Sequence, residues 1–477
     1  MYPSLRSLAV HLIIATLCTL PGIAQSSAVG SIDSAVAQAM SSQNIPALAV
    51  AIVKSGTIVY SKAYGQADRE RNITATPQTL FAIASCSKMI TAVAVMQLVE
   101  QGKMRLDADI NTYLPFSVRN PNFPAVPITV QMLLTHTSSL NDGSSLFDYV
   151  VPGDSPIALA DFMRRSVTAS GDLFGQTAEF GNAMPGTQYK YSNMGTSMLG
   201  YLVEAVAAQP FNQYCNQRIF TPLCMNSTRW FLSELDTNTI ARPYRKSNSM
   251  LIRRPFTGFP DYPDGQLRST VLDLSKFMWA MMNSGTPFSG VQLLQPETTR
   301  RMLSVASVSG SIGLHCFYEE IGNQDTVWGH DGALEDVQAE VRFLKGSDGT
   351  GVVVIANTSA RLTSLWQTLL NLGRSIAPAP NNALQCTAVT SVRSPEQQSL
   401  ETLVEVSPNP ASDILRLRLP AEGYSLQLVD MLGRTVVMQT YLGLNIEIPI
   451  QTLTRGAYYL VLSRGGSVVQ TKQIVKL

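Results

Sequence analysis

The residues best suited to chemistry are a serine and a lysine three positions apart. Of the ten lysines, only Lys88 has this spacing, in Ser85-Cys86-Ser87-Lys88. Residues three apart share one face of a helix, so the Lys88 amine can reach Ser85 Oγ and accept its proton. Residues 89–99 are almost wholly apolar, so we expect burial to disfavour the charged amine. The alternative is a serine that caps a helix before a lysine that extends to solvent.

A tyrosine could complete the proton path. Tyr-x-Asn occurs at Tyr191-Ser192-Asn193 and at Tyr214-Cys215-Asn216. The first follows a Pro-Gly turn at the start of a helical pattern, so we predict that Tyr191 projects from a loop and transfers protons. The alternative is an ordinary buried tyrosine bonded through its hydroxyl.

His-x-Gly occurs once, at His330-Asp331-Gly332. A glycine at the start of an edge strand would let a substrate backbone approach closely. The Ala333 N–H would then act with the Ser85 N–H as an oxyanion donor. Taken alone, the pattern also fits a turn that happens to contain a histidine.

These residues require a large domain to position them. The apolar run 89–99 predicts a helix buried on all sides at the centre of such a domain. Further helices are predicted near 31–40, 194–208, 272–282 and 362–372, and strands at 48–53, 57–64 and on both sides of 345–349. Strand pairs at both sequence ends with helices between them predict an α/β (α+β) fold, with an antiparallel sheet covered by helices.

The composition changes after residue 375. Residues 376–405 are polar and contain prolines, which predicts a linker. Residues 406–477 alternate apolar and polar residues in short runs separated by glycines, which predicts an all-β sandwich.

Residues 1–24 are predicted to be a signal peptide, with Arg6 before an apolar run at 8–20 and small residues before position 25. The run is too short for a membrane anchor, and we predict a mature chain without a membrane segment. The chain has 35 basic and 34 acidic residues, and residues 1–24 contain one arginine and no acid, so the mature chain has 34 of each. This balance argues against a nucleic-acid partner. With four histidines and no Cys-x-x-Cys pair, no metal or other cofactor is predicted.

Five cysteines remain after residue 24, so at least one is unpaired within a monomer. Cys215 and Cys224 are the only close pair. Either they form a disulfide or the cysteines are buried thiols.

Six segments in order resemble the serine β-lactamase and penicillin-binding-protein-like hydrolases over about residues 32–375. They are 81–88 followed by 96–103, then 113–115, 133–138, 191–193, 265–270 and 329–332, where the first two form one unit. His136 lies in one of them and is interpreted as structural. The family usually has Lys-Thr-Gly where this chain has His330-Asp331-Gly332, and a histidine is a weaker anchor for a substrate carboxylate.

The resemblance implies a β-lactamase/transpeptidase-like catalytic domain over residues 25–375. It implies Ser85 as nucleophile, Lys88 and Tyr191 as the proton-transfer pair, and Asn193 as a substrate amide ligand. Residues 330–332 would form the third element, with Ala333 beside the substrate. We therefore expect a serine hydrolase that cleaves an amide or ester through an acyl-enzyme. The alternative is a non-catalytic binding or sensor protein on the same fold. A β-lactam, a D-peptide and an ester all remain open as substrates.

The last domain has its own resemblance. Residues 406–413, 428–434, 453–460 and 472–476 resemble the C-terminal sorting domain of the bacterial type IX secretion system. This implies the secretion machinery as a partner, passage through the periplasm and a secreted or cell-surface location. The alternative is a carbohydrate-binding or adhesive sandwich.

Overall fold

The computed structural model describes residues 21–378, 384, 386, 405–407, 412–418, 424–430, 435–441, 445–464 and 467–476, except 249, 289, 307, 309, 323–324, 335 and 346–348. The predicted signal peptide lies almost entirely outside the described residues. Contacts divide the chain into two compact units, and the first ends at Cys386.

The first unit contains nine α-helices among its described residues. They are α1 Pro21–Gln43, α2 Ser87–Glu100, α3 Val130–Leu134, α4 Leu159–Val167, α5 Asn193–Ala207, α6 Phe211–Cys215, α7 Val271–Met282, α8 Pro296–Met302 and α9 Thr363–Arg374. The predicted helices correspond to α1, α2, α5, α7 and α9. Among the described residues, no helix combines the length and apolar character needed to cross a membrane.

The strands of this unit are β1 Ala47–Lys54, β2 Thr57–Asp68, β3 Ile73–Thr74, β4 Phe81–Ala82, β5 Leu140–Asp142, β6 Val151–Pro152, β7 Ala178–Phe180, β8 Tyr244–Ser247, β9 Met250–Arg253, β10 Thr257–Gly258, β11 Arg268–Ser269, β12 Phe317–Ile321, β13 Asp325–Leu334, β14 Val337–Leu344 and β15 Thr350–Ala356. Seven of them form one sheet in the order β12-β13-β14-β15-β1-β2-β3. The antiparallel pairing of β1 with β15 joins strands from the beginning and the end of this unit, as predicted.

Helices cover both faces of this sheet. The side chains of Leu48, Val50 and Ile52 on β1 share one core with α1 and α9. Successive strand residues point to opposite faces. A Cβ built on Gly351 would lie 2.7 Å from Met278 Sδ, so α7 packs on the other face.

Helix α2 lies at the centre of the unit, as its apolar sequence predicts. Every residue from Ser87 to Leu98 is buried. The helix packs against α5 and against a 3₁₀ turn at Tyr262–Asp264. Ser85 lies just before α2, in a second 3₁₀ turn at Ala84–Cys86.

The cysteine pairing differs from both alternatives that the sequence left open. Cys224 is bonded to Cys386, with their Cα atoms 5.4 Å apart, while Cys86, Cys215 and Cys316 are buried free thiols. The partners are separated by 162 residues, so spacing could not reveal the pair. Part of the predicted linker is packed as well, because the Ile376 and Leu384 side chains are buried.

The second unit is a two-sheet structure, as the alternating pattern predicts. Its described strands are β16 Glu405–Ser407, β17 Ile414–Arg418, β18 Tyr424–Asp430, β19 Thr435–Tyr441, β20 Asn445–Pro449, β21 Gly456–Arg464 and β22 Ser467–Lys476. The sheets have the orders β16-β17-β20 and β19-β18-β21-β22. Apolar residues from both sheets, such as Leu415 and Leu460, form one core.

Candidate active site

The predicted serine–lysine pair is in contact. Lys88 Nζ lies 3.1 Å from Ser85 Oγ, 2.8 Å from Asn193 Oδ1 and 2.7 Å from the Asp264 carbonyl oxygen. Nζ also lies 4.9 Å from the centre of the Tyr191 ring. The Lys88 side chain is wholly buried and does not extend to solvent. This arrangement excludes the alternative of a helix-capping serine beside a surface lysine, because no side chain caps either the 3₁₀ turn or α2.

The three contacts of Lys88 suit both protonation states. Two of its partners, the Asn193 amide oxygen and the Asp264 carbonyl, can only accept hydrogen bonds. An ammonium group satisfies both and donates its third N–H to Ser85 Oγ. A neutral amine also satisfies both and presents its lone pair to Ser85 Oγ. The same geometry therefore serves before and after a proton transfer.

The expected effect of burial on Lys88 is only part of its electrostatics. Burial lowers the pKa of Lys88, but Tyr191, Asp264 and Asp142 raise it, and the result lies above the ordinary value. The predicted effect of burial is therefore present, but groups that the prediction did not consider outweigh it. Apolar residues of α2 supply the desolvation, while Tyr191 and two acids distant in sequence oppose it. Burial also raises the pKa of the Tyr191 hydroxyl, although Lys88 and Ser85 lower it.

Asn193 is held by an acid that the sequence did not suggest. Asn193 Nδ2 donates to Asp142 Oδ2 at 2.8 Å, and the Met194 N–H donates to Asp142 Oδ1 at 2.9 Å. These contacts fix Asn193 at the start of α5, with its Oδ1 toward Lys88. The predicted role of Asn193 as a substrate ligand is thus joined by a role in positioning Lys88.

A second acid, Asp264, lies on the turn packed against α2. Thr91 Oγ1 donates to the Pro263 carbonyl at 2.7 Å, and Ser197 Oγ donates to the Asp261 carbonyl at 2.8 Å, so both helices hold this turn. Asp264 Oδ2 lies 3.7 Å from Lys88 Nζ. Burial raises the pKa of Asp264 to about 6, although Lys88 lowers it. Burial also raises the pKa of Asp261 well above its ordinary value.

Tyr191 lies in a loop immediately before α5, as predicted, and histidines surround its ring. The ring centres of His136 and Tyr191 are 4.5 Å apart, and those of His136 and His315 are 4.6 Å apart. The Ser192 N–H donates to His136 Nδ1 at 3.1 Å. Burial holds the pKa of both histidines well below the usual range, so this support is uncharged. The rival tyrosine, Tyr214, lies within α6, away from this group.

His330, Asp331 and Gly332 lie within β13, in the part that pairs with β14, whereas β12 pairs with residues 325–329 of β13. The alternative of a turn was wrong. Residues 330–334 do lie at an edge, because the pairing with β12 ends at Gly329 and only β14 continues beside them. Cys86 Sγ donates to the His330 carbonyl at 3.2 Å, which ties β13 to the 3₁₀ turn of Ser85. A Cβ on Gly332 would lie 2.1 Å from the Ile83 carbonyl oxygen, so only glycine allows this approach.

One cavity of about 360 Å³ joins the predicted residues. Ser85, Tyr191, Asn193, His330 and Ala333 all line it. Gly332 lies directly behind this wall, against Ile83. The remaining lining is acidic or apolar: Ala84, Leu146, Phe147, Val150, Phe259, Asp261, Asp264, Gly265, Asp331, Phe317 and Leu334.

Sequence reasoning missed Asp142, Asp264 and Phe317. Asp264 directly precedes the segment 265–270 that carries the family resemblance, so its position offered a signal. Asp142 and Phe317 lie in short strands without a distinctive pattern. Only the folded chain brings them to the site.

The family models agree with this architecture. Residues 32–366 match the β-lactamase family model, and residues 405–476 match the secretion system C-terminal sorting domain. The first match covers most of the chain. The chain therefore belongs to the β-lactamase family, whose members are serine hydrolases.

Individual relatives are distant. The chain is 24% identical to protein flp of Staphylococcus aureus (strain MRSA252) over 330 residues, which cover 69% of this chain and 63% of that protein. The chain thus spans less than two thirds of the length of such curated relatives.

Solved structures share the fold. EstCE1, described as a hydrolase with promiscuous acyltransferase activity, has a TM-score of 0.60 at 21% identity, over 74% of this chain and 99% of that one. The D-amino acid amidase of Ochrobactrum anthropi SV3 has a TM-score of 0.57 at 20% identity, over 74% and 98%. At these identities the likeness establishes the β-lactamase/transpeptidase-like fold alone.

Proposed function

We propose that the protein is an exported serine hydrolase that cleaves an amide or ester bond through an acyl-enzyme on Ser85. The observation that carries the proposal is the contact of Lys88 Nζ with Ser85 Oγ at 3.1 Å, in a cavity open to substrate. Ala84 before the nucleophile has a φ of 46°, a strained conformation of the kind that clusters at functional sites.

The proton path follows from the contacts of Lys88. As Ser85 Oγ attacks the carbonyl carbon, its proton passes to the pair formed by Lys88 and Tyr191. The tetrahedral intermediate then expels the amine or alcohol, which receives a proton from the same pair. Water repeats the sequence to release the acid and restore Ser85. The Ser85 and Ala333 N–H groups stabilise the oxyanion in both halves.

The test is a comparison of Ser85→Ala with a matched serine variant. Ser42→Ala changes an exposed serine at the end of α1 and is the control. We expect Ser85→Ala to abolish hydrolysis of a p-nitrophenyl ester and labelling by a fluorophosphonate, while Ser42→Ala retains both. Unchanged turnover in folded Ser85→Ala would end the proposal.

The non-catalytic alternative makes a different prediction. A binding or sensor protein would bind amides and esters yet give no product and no acyl adduct. Intact mass after incubation with generic esters and D-amino-acid peptides separates the two proposals.

We also propose that residues 406–477 direct export by the type IX secretion system, after the signal peptide has led the chain to the periplasm. The match of residues 405–476 to a sorting domain supports this proposal. The mature enzyme would then act outside the cell or at its surface.

A further inference from the structure

One histidine holds the backbone on both sides of Tyr191. The Lys190 N–H donates to the His136 carbonyl oxygen at 2.8 Å, and the Ser192 N–H donates to His136 Nδ1 at 3.1 Å. The centre of the His136 ring also lies 4.5 Å from that of the Tyr191 ring. His136 therefore fixes the chain before and after the tyrosine and contacts its side chain.

A second buried histidine supports the first. The ring centres of His315 and His136 are 4.6 Å apart, and the His315 N–H donates to the Leu134 carbonyl oxygen at 3.1 Å. His315 Nε2 lies 3.3 Å from Thr196 Oγ1, and Thr196 Oγ1 donates to the Ser192 carbonyl oxygen at 3.2 Å. These contacts connect the N–H of Ser192, through both histidines, to its own carbonyl.

The hydrogen-bond partners determine where each histidine carries its hydrogen. A backbone N–H can only donate, so His136 Nδ1 carries a lone pair. The Ser192 carbonyl can only accept, so the Thr196 hydroxyl gives it its hydrogen and accepts one from His315 Nε2. Burial holds the pKa of both histidines well below the usual range, so each has a single hydrogen on its ring nitrogens. His136 therefore has that hydrogen on Nε2, and His315 has a lone pair on Nδ1.

The two remaining ring nitrogens are complementary. Among the residues that the structure describes, His136 Nε2 and His315 Nδ1 are both buried and have no hydrogen-bond partner. One is a donor and the other an acceptor, on neighbouring rings, and a buried polar atom without a partner is costly. A small rotation of the two rings would satisfy both atoms at once.

Both histidines also have an unfavourable backbone conformation. The φ angle is 54° at His136 and 53° at His315, in the left-handed region that residues with a Cβ rarely adopt. Such conformations persist where the surroundings enforce them, and they cluster at functional sites. The chain therefore keeps two buried, strained histidines beside Tyr191, and the proposed mechanism gives neither of them a chemical step.

We propose that His136 and His315 are positioning residues for Tyr191. With Ser192 and Thr196 they form a closed cycle of hydrogen bonds, in which His136 Nε2 donates to His315 Nδ1. This cycle holds the Tyr191 side chain beside the nucleophile. The inference rests on the proposed function, because it is there that Tyr191 is assigned to proton transfer.

Thr196 allows the cycle to be opened without changing either histidine. Thr196→Val removes the hydroxyl at nearly constant shape, whereas Thr196→Ser keeps it. We expect Thr196→Val to lower kcat for a p-nitrophenyl ester at least about fivefold and to leave KM within about twofold, because a misplaced proton-transfer group slows the reaction more than it weakens binding. Thr196→Ser should retain kcat within about twofold.

Thr299→Val is the matched control. Thr299 is also a buried helix threonine whose hydroxyl donates to the carbonyl four residues before it, but it lies in α8. This variant should leave both kcat and KM unchanged. Wild-type kcat in Thr196→Val, or a Thr196→Ser chain as impaired as Thr196→Val, would overturn the inference.

Nitrogen-15 NMR of the histidine rings and hydrogen exchange test the cycle without a substrate. We expect both His136 and His315 to carry their hydrogen on Nε2. The Ser192 N–H should exchange with solvent at least about tenfold faster in Thr196→Val than in the wild-type chain. A hydrogen on Nδ1 of either histidine, or unchanged exchange, would refute the cycle even if the ester is hydrolysed. If both NMR and exchange results are as expected but the wild-type chain hydrolyses no ester, the proposed function alone fails.

Discussion

At the scale of residues, the site is organised around one buried charge. Asp264 lies beside Lys88, and Asp142 is linked to it through Asn193. Both acids are far from Lys88 in sequence. Stabilising the ammonium has a chemical consequence, because less of the amine is available as a base at a given pH. We therefore propose that Asp264 is a positioning residue that sets the pH at which Lys88 can accept a proton.

Asp264→Asn should move the rising limb of the pH–rate profile for ester hydrolysis to lower pH, by about one unit. Burial raises the pKa of Asp264 to about 6, so its carboxylate is ionised above that pH and stabilises the Lys88 ammonium there. Asparagine removes this charge but keeps the backbone carbonyl that accepts from Lys88. The profile of kcat/KM between pH 6 and 10 is the measurement.

Asp107→Asn serves as the matched control, since its carboxylate pairs with Arg105 at the surface. The rising limb of Asp264→Asn could instead stay in place or move to higher pH. Either result would show that Asp264 does not set the protonation equilibrium of Lys88.

The sequence predicted the contact between Ser85 and Lys88, which are three residues apart. It did not predict the contacts that Lys88 and Asn193 make with residues distant in sequence. Spacing alone brought Lys88 to Ser85. The acids around Lys88 come from segments up to 176 residues away in sequence, as Asp264 does. Short-range patterns do not encode such pairs, so the sequence indicated the desolvation of Lys88 but not the groups that oppose it.

At the scale of elements, two backbone segments meet to form the site. The 3₁₀ turn of Ser85 lies against β13, and Cys86 and Gly332 form this contact. Apolar periodicity predicted α2, and the strand runs at both ends predicted the sheet. The sequence pattern did not reveal β12, because its residues are only partly buried and lack a clear alternation.

Gly332→Ala should slow fluorophosphonate labelling by at least about tenfold and destabilise the fold by about 1–3 kcal/mol, because the added methyl group overlaps a backbone oxygen that cannot move freely. Labelling rate and urea unfolding report the two effects.

Gly30→Ala is the control for this change. Gly30 lies on α1, and a Cβ there would meet no atom within 4 Å. Alanine favours a helix, so this variant should be neutral or slightly stabilising. Wild-type labelling in Gly332→Ala would mean that the strand does not need its close approach to Ser85.

At the scale of the whole molecule, the disulfide links Cys386 to the body of the first unit. Cys386 is bonded to Cys224, and Ile376 is buried in the core that contains β1. We therefore propose that the unit extends to residue 386 and that the predicted linker begins after it.

Cys386→Ser should lower the free energy of unfolding by about 4 kcal/mol, because a bridge across a long loop restricts the unfolded chain. Urea unfolding of chains made in an oxidising compartment is the measurement. Cys224→Ser should lower the free energy of unfolding by the same amount. The double variant should lower it by no more than either single variant. Thiol titration of the unfolded chain 25–477 should find three free thiols before reduction and five after it. Five thiols before reduction would contradict the pairing.

A chain truncated after residue 386 should retain kcat/KM within about twofold, because no residue of the proposed mechanism lies beyond Ala333. In its host it should accumulate in the periplasm, since the sorting domain is missing. Fractionation of host cells and assay of the purified fragment test both parts. Continued secretion would show that the sorting domain is not required for export. Loss of activity in a folded fragment would show that catalysis needs residues beyond 386.

The central claim is that Ser85 forms an acyl-enzyme. The most direct measurement is the intact mass of the chain, quenched within seconds of mixing with a p-nitrophenyl ester, followed by peptide mapping. We predict the added mass of one acyl group on the peptide that contains Ser85, and none in Ser85→Ala. A folded wild-type chain that hydrolyses the ester without an adduct at any time point, or with the adduct on another residue, would contradict the account.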